Sequence, residues 1–324
     1  MNMNGARFKL FVVTVTLWVC SVAASAQAPV RILSPFPPGG AVDTIARLYA
    51  ERLSVALHRP VVVETKSGAA GRIAAEAVRT GAPDGSILMI APDSMFTVYP
   101  HTVRKPVFDA LNDFVALAHT GGYPVAFAIG AKVPAKTMRE YIEWAKRDPK
   151  NASYGTAGAG TTLHFVGMMI AQAAGLEMTH VAYRGVGPAL TNVVGGQIPA
   201  TILPLGTVLQ QAKAGKVRVL AHSGEIRSSL AGEVPTLKEL GFEKLVVHGW
   251  FGAFGPAGMP ASMVTRYNEI FVQASRQPGV RERMRMLDLE LLELDAAQLK
   301  ALIRTEYERW KAVVKASGFS ADKQ

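Results

Sequence analysis

Three stretches of this sequence place residues with chemical potential at turns that enter helices. In the first, Ser34-Pro35-Phe36-Pro37-Pro38-Gly39-Gly40-Ala41-Val42-Asp43, prolines fix φ and two glycines free the backbone. Amides at a helix start lack carbonyl partners and the dipole there favours negative charge, so this turn can cradle a carboxylate or a phosphate. Asp43 falls in the first helical turn, where it either complements the dipole or shapes the loop. In the second stretch, Tyr154-Gly155-Thr156-Ala157-Gly158-Ala159-Gly160-Thr161-Thr162-Leu163-His164, hydroxyls join a glycine-rich helix start. His164, one turn into that helix, reads as a hydrogen-bonded structural residue or as a base or ligand. The third, Tyr183-Arg184-Gly185-Val186-Gly187-Pro188, offers a phenol, more free amides and a guanidinium that either pairs a carboxylate in a fork or stands in solvent.

Several chemistries find no support. After Gly158-Ala159-Gly160 no third glycine completes a dinucleotide fingerprint, and no glycine-lysine-hydroxyl triplet ends a phosphate loop. A nucleophile elbow and helical histidine pairs at metal spacing are also missing, so no cofactor or metal is expected. Asp43, Asp93 and His164 do not make a triad on sequence grounds, although distant residues can converge in space. An exported α/β hydrolase-like enzyme stays open as the second reading.

The turns need strands before them and helices after them. Val30 to Leu33 leads into the first turn, and apolar positions at Val42, Ile45, Ala46, Tyr49, Leu53 and Ala56 mark the helix behind it. Pro60 to Glu64, the turn Gly68-Ala69-Ala70-Gly71 and a helix from Ile73 to Val78 repeat the pattern about thirty residues on, the pitch of a β/α layer with a parallel sheet. Ser86 to Ala91 is a further buried strand, ending at the polar corner Pro92-Asp93-Ser94. Ligands in such sheets bind beyond the carboxyl ends of strands. Phe114 to Ala118 and Pro124 to Ile129 read as two strands broken at His119-Thr120-Gly121-Gly122. A second α/β series opens at the capping box Thr137-Met138-Arg139-Glu140, with strands expected at 152–154, 178–181, 200–203 and 217–221. The strand Val246 to Phe251 returns the chain to the first domain, and the last helix opens at Asp295-Ala296-Ala297-Gln298.

At 324 residues and 49% hydrophobic, the chain can fill two medium cores. Its first 26 residues differ in kind: Arg7 and Lys9 precede an apolar stretch from Leu10 to Ala24, and Ala24-Ser25-Ala26 fits a small-x-small cleavage site. This reads as a secretory signal cut after Ala26, which makes the mature chain an exported one. A membrane anchor would need a longer apolar run, and lipid attachment at Cys20 is opposed by the bulk of Val19. Loss of the leader removes the only cysteine, so a core rather than disulfides must hold the fold. The formal charge of +10 falls to +8 without Arg7 and Lys9; its basic residues are interspersed with acids, which argues against nucleic acid and leaves a mild field that attracts small anions.

Taken together in order, Pro35 to Asp43, Gly68 to Gly71, Gly158 to His164, Tyr183-Arg184-Gly185 with Pro188-Ala189-Leu190-Thr191, Gly195-Gly196-Gln197, Trp250-Phe251-Gly252 and Pro256-Ala257-Gly258-Met259-Pro260 resemble the periplasmic solute receptors of the tripartite tricarboxylate transporter family, the Bug proteins. The resemblance runs from about Pro29 to the C-terminus. It implies a type II periplasmic binding protein: two α/β lobes joined by a two-stranded hinge, with 27–125 plus 248–324 in lobe 1, 126–247 in lobe 2 and a ligand cleft between them. It also implies a carboxylate held mainly by amides and water, and delivery to membrane permease subunits. A receptor that signals to a membrane protein is a further reading that the fold does not separate from transport, and with no exposed heptad or swapped arm in the sequence a monomer is expected. Expected ligand contacts are Phe36, Pro37, Gly39, Gly40, Asp43 and Ser94 on one lobe and Gly158, Gly160, Thr161, Thr162, His164, Tyr183, Arg184 and Leu205 on the other. Two departures stand out. Ile198-Pro199 follows Gly195-Gly196-Gln197 where the family commonly has valine and an acid, and Leu203-Pro204-Leu205-Gly206 replaces a polar turn. A less polar far wall, and a ligand with an apolar or aromatic body directed towards Leu205, are the expectation.

Overall fold

A computed structural model describes residues 28–323, so the leader expected at residues 1–26 lies outside the described part. The first sheet is built from β1 (Val30–Ser34), β2 (Val61–Thr65) and β3 (Ile87–Pro92), parallel to one another in the order β2-β1-β3. The connecting helices are α1 (Ala41–Leu57) and α2 (Arg72–Arg79). All six residues of β3 are buried, as expected of a strand covered on both faces. A one-turn helix, α3 (Ser94–Thr97), follows it.

The long strand β4 (Phe114–Gly130) then leaves this sheet and enters the second. At about 3.3 Å per residue its 17 residues span roughly 55 Å. This corrects the expectation of two strands with a break at 119–122: the ladder continues through register shifts between Ala116 and Ala118 and between His119 and Gly121. Such bulges absorb the polar and glycine residues that look like a turn in sequence.

The second sheet contains β5 (Ser153–Thr156), β6 (Thr179–Ala182), β7 (Ala200–Pro204) and β8 (Val217–His222). Its helices are α4 (Met138–Arg147), α5 (Thr162–Ala174), α6 (Val186–Gly195) and α7 (Leu205–Lys213). Strand β5 pairs in parallel with β6 and β7, and β4 runs antiparallel to both β7 and β8. Only half of the Thr137 capping box forms: Thr137 Oγ1 accepts from Glu140 N at 3.2 Å, whereas the Glu140 carboxylate accepts from Lys136 N.

Strand β9 (His248–Pro256) returns to the first sheet between β3 and β4, antiparallel to both. It starts two residues later than its apolar pattern suggests and carries Gly255 and Pro256 within the strand. Helices α8 (Ala261–Arg276), α9 (Pro278–Met286) and α10 (Ala296–Ser317) complete this part, the last behind the full capping box of Asp295 and Gln298. Tyr49 of α1 meets Phe271 of α8 with ring centroids 5.0 Å apart, and Phe96 stacks on Phe254 at 3.8 Å. Each such aromatic pair contributes about 0.5–1.5 kcal/mol beyond simple burial.

The chain thus passes between the sheets twice. Within β4 the change falls between Pro124, paired with His248, and Val125, paired with Pro204. The return lies between β8 and β9.

Candidate functional site

The parallel strands β1, β3, β5, β6 and β7 end around one cleft, which encloses about 720 Å³ of empty space with its mouth included. Phe36, Pro37, Pro38, Gly40, Ala41 and Val42 come from the turn after β1, and Pro92 and Ser94 from the end of β3. Opposite them stand Ala157, Thr161, Thr162 and Leu163 after β5, Arg184 to Pro188 after β6, and Pro204 at the end of β7. Tyr123 and Phe251, on the crossing strands, close the back, with ring centroids 4.8 Å apart.

Helices α1, α6 and α7 begin at this cleft behind Gly40, Gly185 and Pro204, and none of the three starts has a side-chain cap. Their first-turn amides and dipoles favour an anion. Helix α5 differs, because Thr161 Oγ1 already accepts from His164 N at 3.3 Å. The one charged side chain among the lining residues is Arg184, which is exposed.

Of the expected contacts, Phe36, Pro37, Gly40, Ser94, Thr161, Thr162 and Arg184 line the cleft together. Other glycine amides are used inside their own loops. Gly39 N donates to Asp43 Oδ2 at 3.3 Å, Gly158 N to Thr156 Oγ1 at 3.3 Å, and Gly160 N to His164 Nδ1 at 3.2 Å. Asp43 is buried, ties Gly39 and pairs with Arg47 at 3.0 Å, so it shapes the turn from behind. His164 is buried and stacks on His180 with centroids 3.9 Å apart; burial pushes its pKa down to about 3, and that of His180 to about 4. Tyr183 packs beside Gly155 and Ile198, away from the lining.

Leu205 is fully buried in the core, so its side chain does not form the far wall. The apolar surface comes instead from Pro92, Tyr123, Pro204 and Phe251. Tyr123 carries no motif, and Phe251 entered only as part of Trp250-Phe251-Gly252 without a role in binding; the signal available in sequence was an aromatic on each of two segments that link the domains. Among the described residues no group of three His, Cys, Asp or Glu side chains could hold a metal ion.

The lobes touch at several points around the cleft. Thr162 Oγ1–H donates to Asp93 Oδ2 at 2.8 Å, and Pro37 lies beside Gly185. Phe319, beyond α10, meets His164 edge-on with centroids 4.8 Å apart. Burial pushes the Asp93 carboxyl up to about 7, against the weaker opposing effect of the Thr162 hydrogen bond.

Two α/β lobes with a cleft at the strand ends define a periplasmic binding protein of the two-lobed type. The chain belongs to the tripartite tricarboxylate transporter family receptors, whose family model matches residues 45–319. This is a family of solute-binding proteins rather than enzymes, and its characterised members are periplasmic. The chain is 27% identical to BugT of Bordetella pertussis, over 98% of this chain and 99% of that protein. In structure it is similar to MatC of Rhodopseudomonas palustris with bound malate, with a TM-score of 0.83, 27% identity and coverage of 88% of this chain and 98% of that one. A second R. palustris protein, solved with adipate, gives a TM-score of 0.87 at 26% identity, covering 91% and 99% of the two chains.

Proposed function

We propose that this protein is a periplasmic receptor that closes two lobes on a small organic carboxylate with an apolar body and delivers it to the membrane subunits of a tripartite tricarboxylate-type permease. The observation that carries the reading is the convergence of three helix starts without side-chain caps, behind Gly40, Gly185 and Pro204, on one cleft. The carboxylate sits among those amides and near Arg184, and the rest of the ligand rests on Pro92, Tyr123, Pro204 and Phe251. Malate and adipate in the related structures support the anion class, and membership of the family supports the permease as partner.

In this reading 27–125 with 248–324 form one lobe and 126–247 the other, and the receptor acts as a monomer exported by its leader. Ligand contacts on both lobes favour the closed state by differential affinity. The test is a thermal-shift screen of the purified protein against mono-, di- and tricarboxylates, aromatic acids and amino acids. A ligand present at a hundred times its Kd adds about 2.7 kcal/mol of stability. Stabilisation by one carboxylate class, with the ligand recovered unchanged by mass spectrometry, is expected; turnover, or a response confined to non-acids, would overturn the reading.

A further inference from the structure

A carboxyl group with no cation beside it sits at the seam between the lobes. Asp93 lies between β3 and α3 and is 1% exposed. Its Oδ2 accepts the hydrogen bond from Thr162 across the seam, while its Oδ1 is buried without a hydrogen-bond partner. The backbone N–H of Asp93 is engaged by the Trp250 carbonyl at 2.8 Å. The titratable groups that act on it electrostatically are the Glu306 carboxyl on α10, itself paired with Arg309 at 3.3 Å, and the Tyr123 phenol on β4. Glu306 disfavours a negative charge on Asp93, and the Tyr123 phenol stays neutral because burial and Asp93 hold its pKa well above the usual value. The Ser94 and Trp250 amides offset this only weakly. A buried carboxylate with so little compensation is costly, and a neutral carboxylic acid in the same place is much less so.

We infer that closing the lobes takes up a proton at Asp93, so that the receptor holds its ligand more tightly near pH 6 than near pH 8. This rests on the closing-cleft reading above. When the lobes part, Thr162 leaves and water reaches the carboxyl, which then ionises near its ordinary value of about 4. In the closed form burial raises it to about 7. A proton on Oδ1 leaves Oδ2 free to keep accepting from Thr162. Between the two pKa values the closed state carries one proton more than the open one, so affinity falls about tenfold per pH unit as pH rises, and it levels off above the upper value.

Calorimetric titration with adipate and with malate, near pH 6 and near pH 8, in buffers of different ionisation heat, counts the proton directly. Close to one proton taken up per bound dicarboxylate is expected at the lower pH and nearly none at the higher, with affinity about tenfold weaker there. Asp93→Asn keeps a carbonyl for Thr162 and is expected to fold and to bind without the pH dependence. Any protons that belong to the dicarboxylate itself cancel between the two proteins. Equal uptake in wild type and Asp93→Asn, or a wild-type affinity that does not change with pH, would overturn the inference. If neither dicarboxylate binds at either pH, it is the carboxylate-receptor reading that has failed. Small-angle scattering of the unliganded proteins then decides the proton step: a radius of gyration that grows with pH in wild type only sustains it, and identical profiles remove it.

Discussion

Ser223 and Val125 are bonded to each other twice: Ser223 N donates to the Val125 carbonyl at 2.8 Å, and Val125 N donates to Ser223 Oγ at 2.8 Å. The Ser223 hydroxyl in turn donates to the Val247 carbonyl, and Val247 N donates to the Ser223 carbonyl at 3.0 Å. One fully buried serine therefore ties the two chain crossings together.

Removal of that hydroxyl leaves a buried N–H and a buried carbonyl unmatched. Ser223→Ala is expected to lower stability by about 1–3 kcal/mol, read as a lower urea midpoint. An unchanged midpoint would mean that water replaces the hydroxyl or that the crossing is held elsewhere.

Gly39 sits at φ +92°, a conformation that L side chains rarely adopt, although a Cβ there would meet nothing within 4 Å. Gly39→Val should therefore fold and still distort the turn, by about 1–3 kcal/mol of backbone strain, because of φ rather than crowding. Carboxylate affinity is expected to fall at least tenfold with an unchanged circular dichroism spectrum. Gly40→Ala, at φ −88°, adds its methyl without strain and should keep the fold fully stable. Undiminished affinity in folded Gly39→Val would take this turn out of the site.

Arg184 is the one charged side chain on the cleft lining. Arg184→Gln is expected to weaken binding of a panel carboxylate about tenfold at low salt, with the deficit shrinking as salt screens the charge. Stability should stay within about 0.5 kcal/mol of wild type, because the side chain is exposed. Titration at two salt concentrations reads both effects, and a salt-independent loss would point to altered loop shape instead of charge.

His119, His164 and His180 are held neutral by burial, with pKa values of about 4, 3 and 4. Their folded values lie below the unfolded one, so the stability they carry is complete above about pH 6.5 and is lost as pH falls towards 4. Asp93 acts with the opposite sign throughout this window, since its raised value makes the folded state bind a proton that the unfolded state has released. Three histidines outweigh one carboxyl, so the urea midpoint should drop from pH 6.5 to 4.5, each histidine contributing on the order of 2 kcal/mol. His119→Gln, which cannot titrate, should flatten that slope; a slope unchanged from wild type would show that His119 is not one of the groups responsible.

Much of this architecture was legible in the residues, because strand-turn-helix units announce themselves through local periodicity and glycine punctuation. Phe36, Pro37, Gly40 and Arg184 to Pro188 belong to turns found that way and line the cleft. The errors have a common cause, which is that long-range pairing decides what local pattern leaves open. His119 to Gly122 looks like a turn until β9 supplies a partner for its bulged ladder. Gly39, Gly158 and Gly160 look like free donors until Asp43, Thr156 and His164 are placed beside them. Leu205 follows a cleft residue in sequence, yet as the first residue of α7 its side chain turns into the core. Asp93 was visible as part of a polar corner and of a triad set aside, but not as a partner of Thr162, because that meeting joins segments 69 residues apart.

The position of β9 also bears on how the chain acquires its structure. Strand β3 ends at Pro92 and its antiparallel neighbour begins at His248, so one edge of the first sheet waits for roughly 150 residues of later chain. A polypeptide that emerges N-terminus first can assemble the second sheet around β4 to β8 while the first is still incomplete. The order of assembly is then inside before outside, with the inserted segment settled before the flanking one. That delay keeps the first sheet open until the chain has been made at least as far as β9.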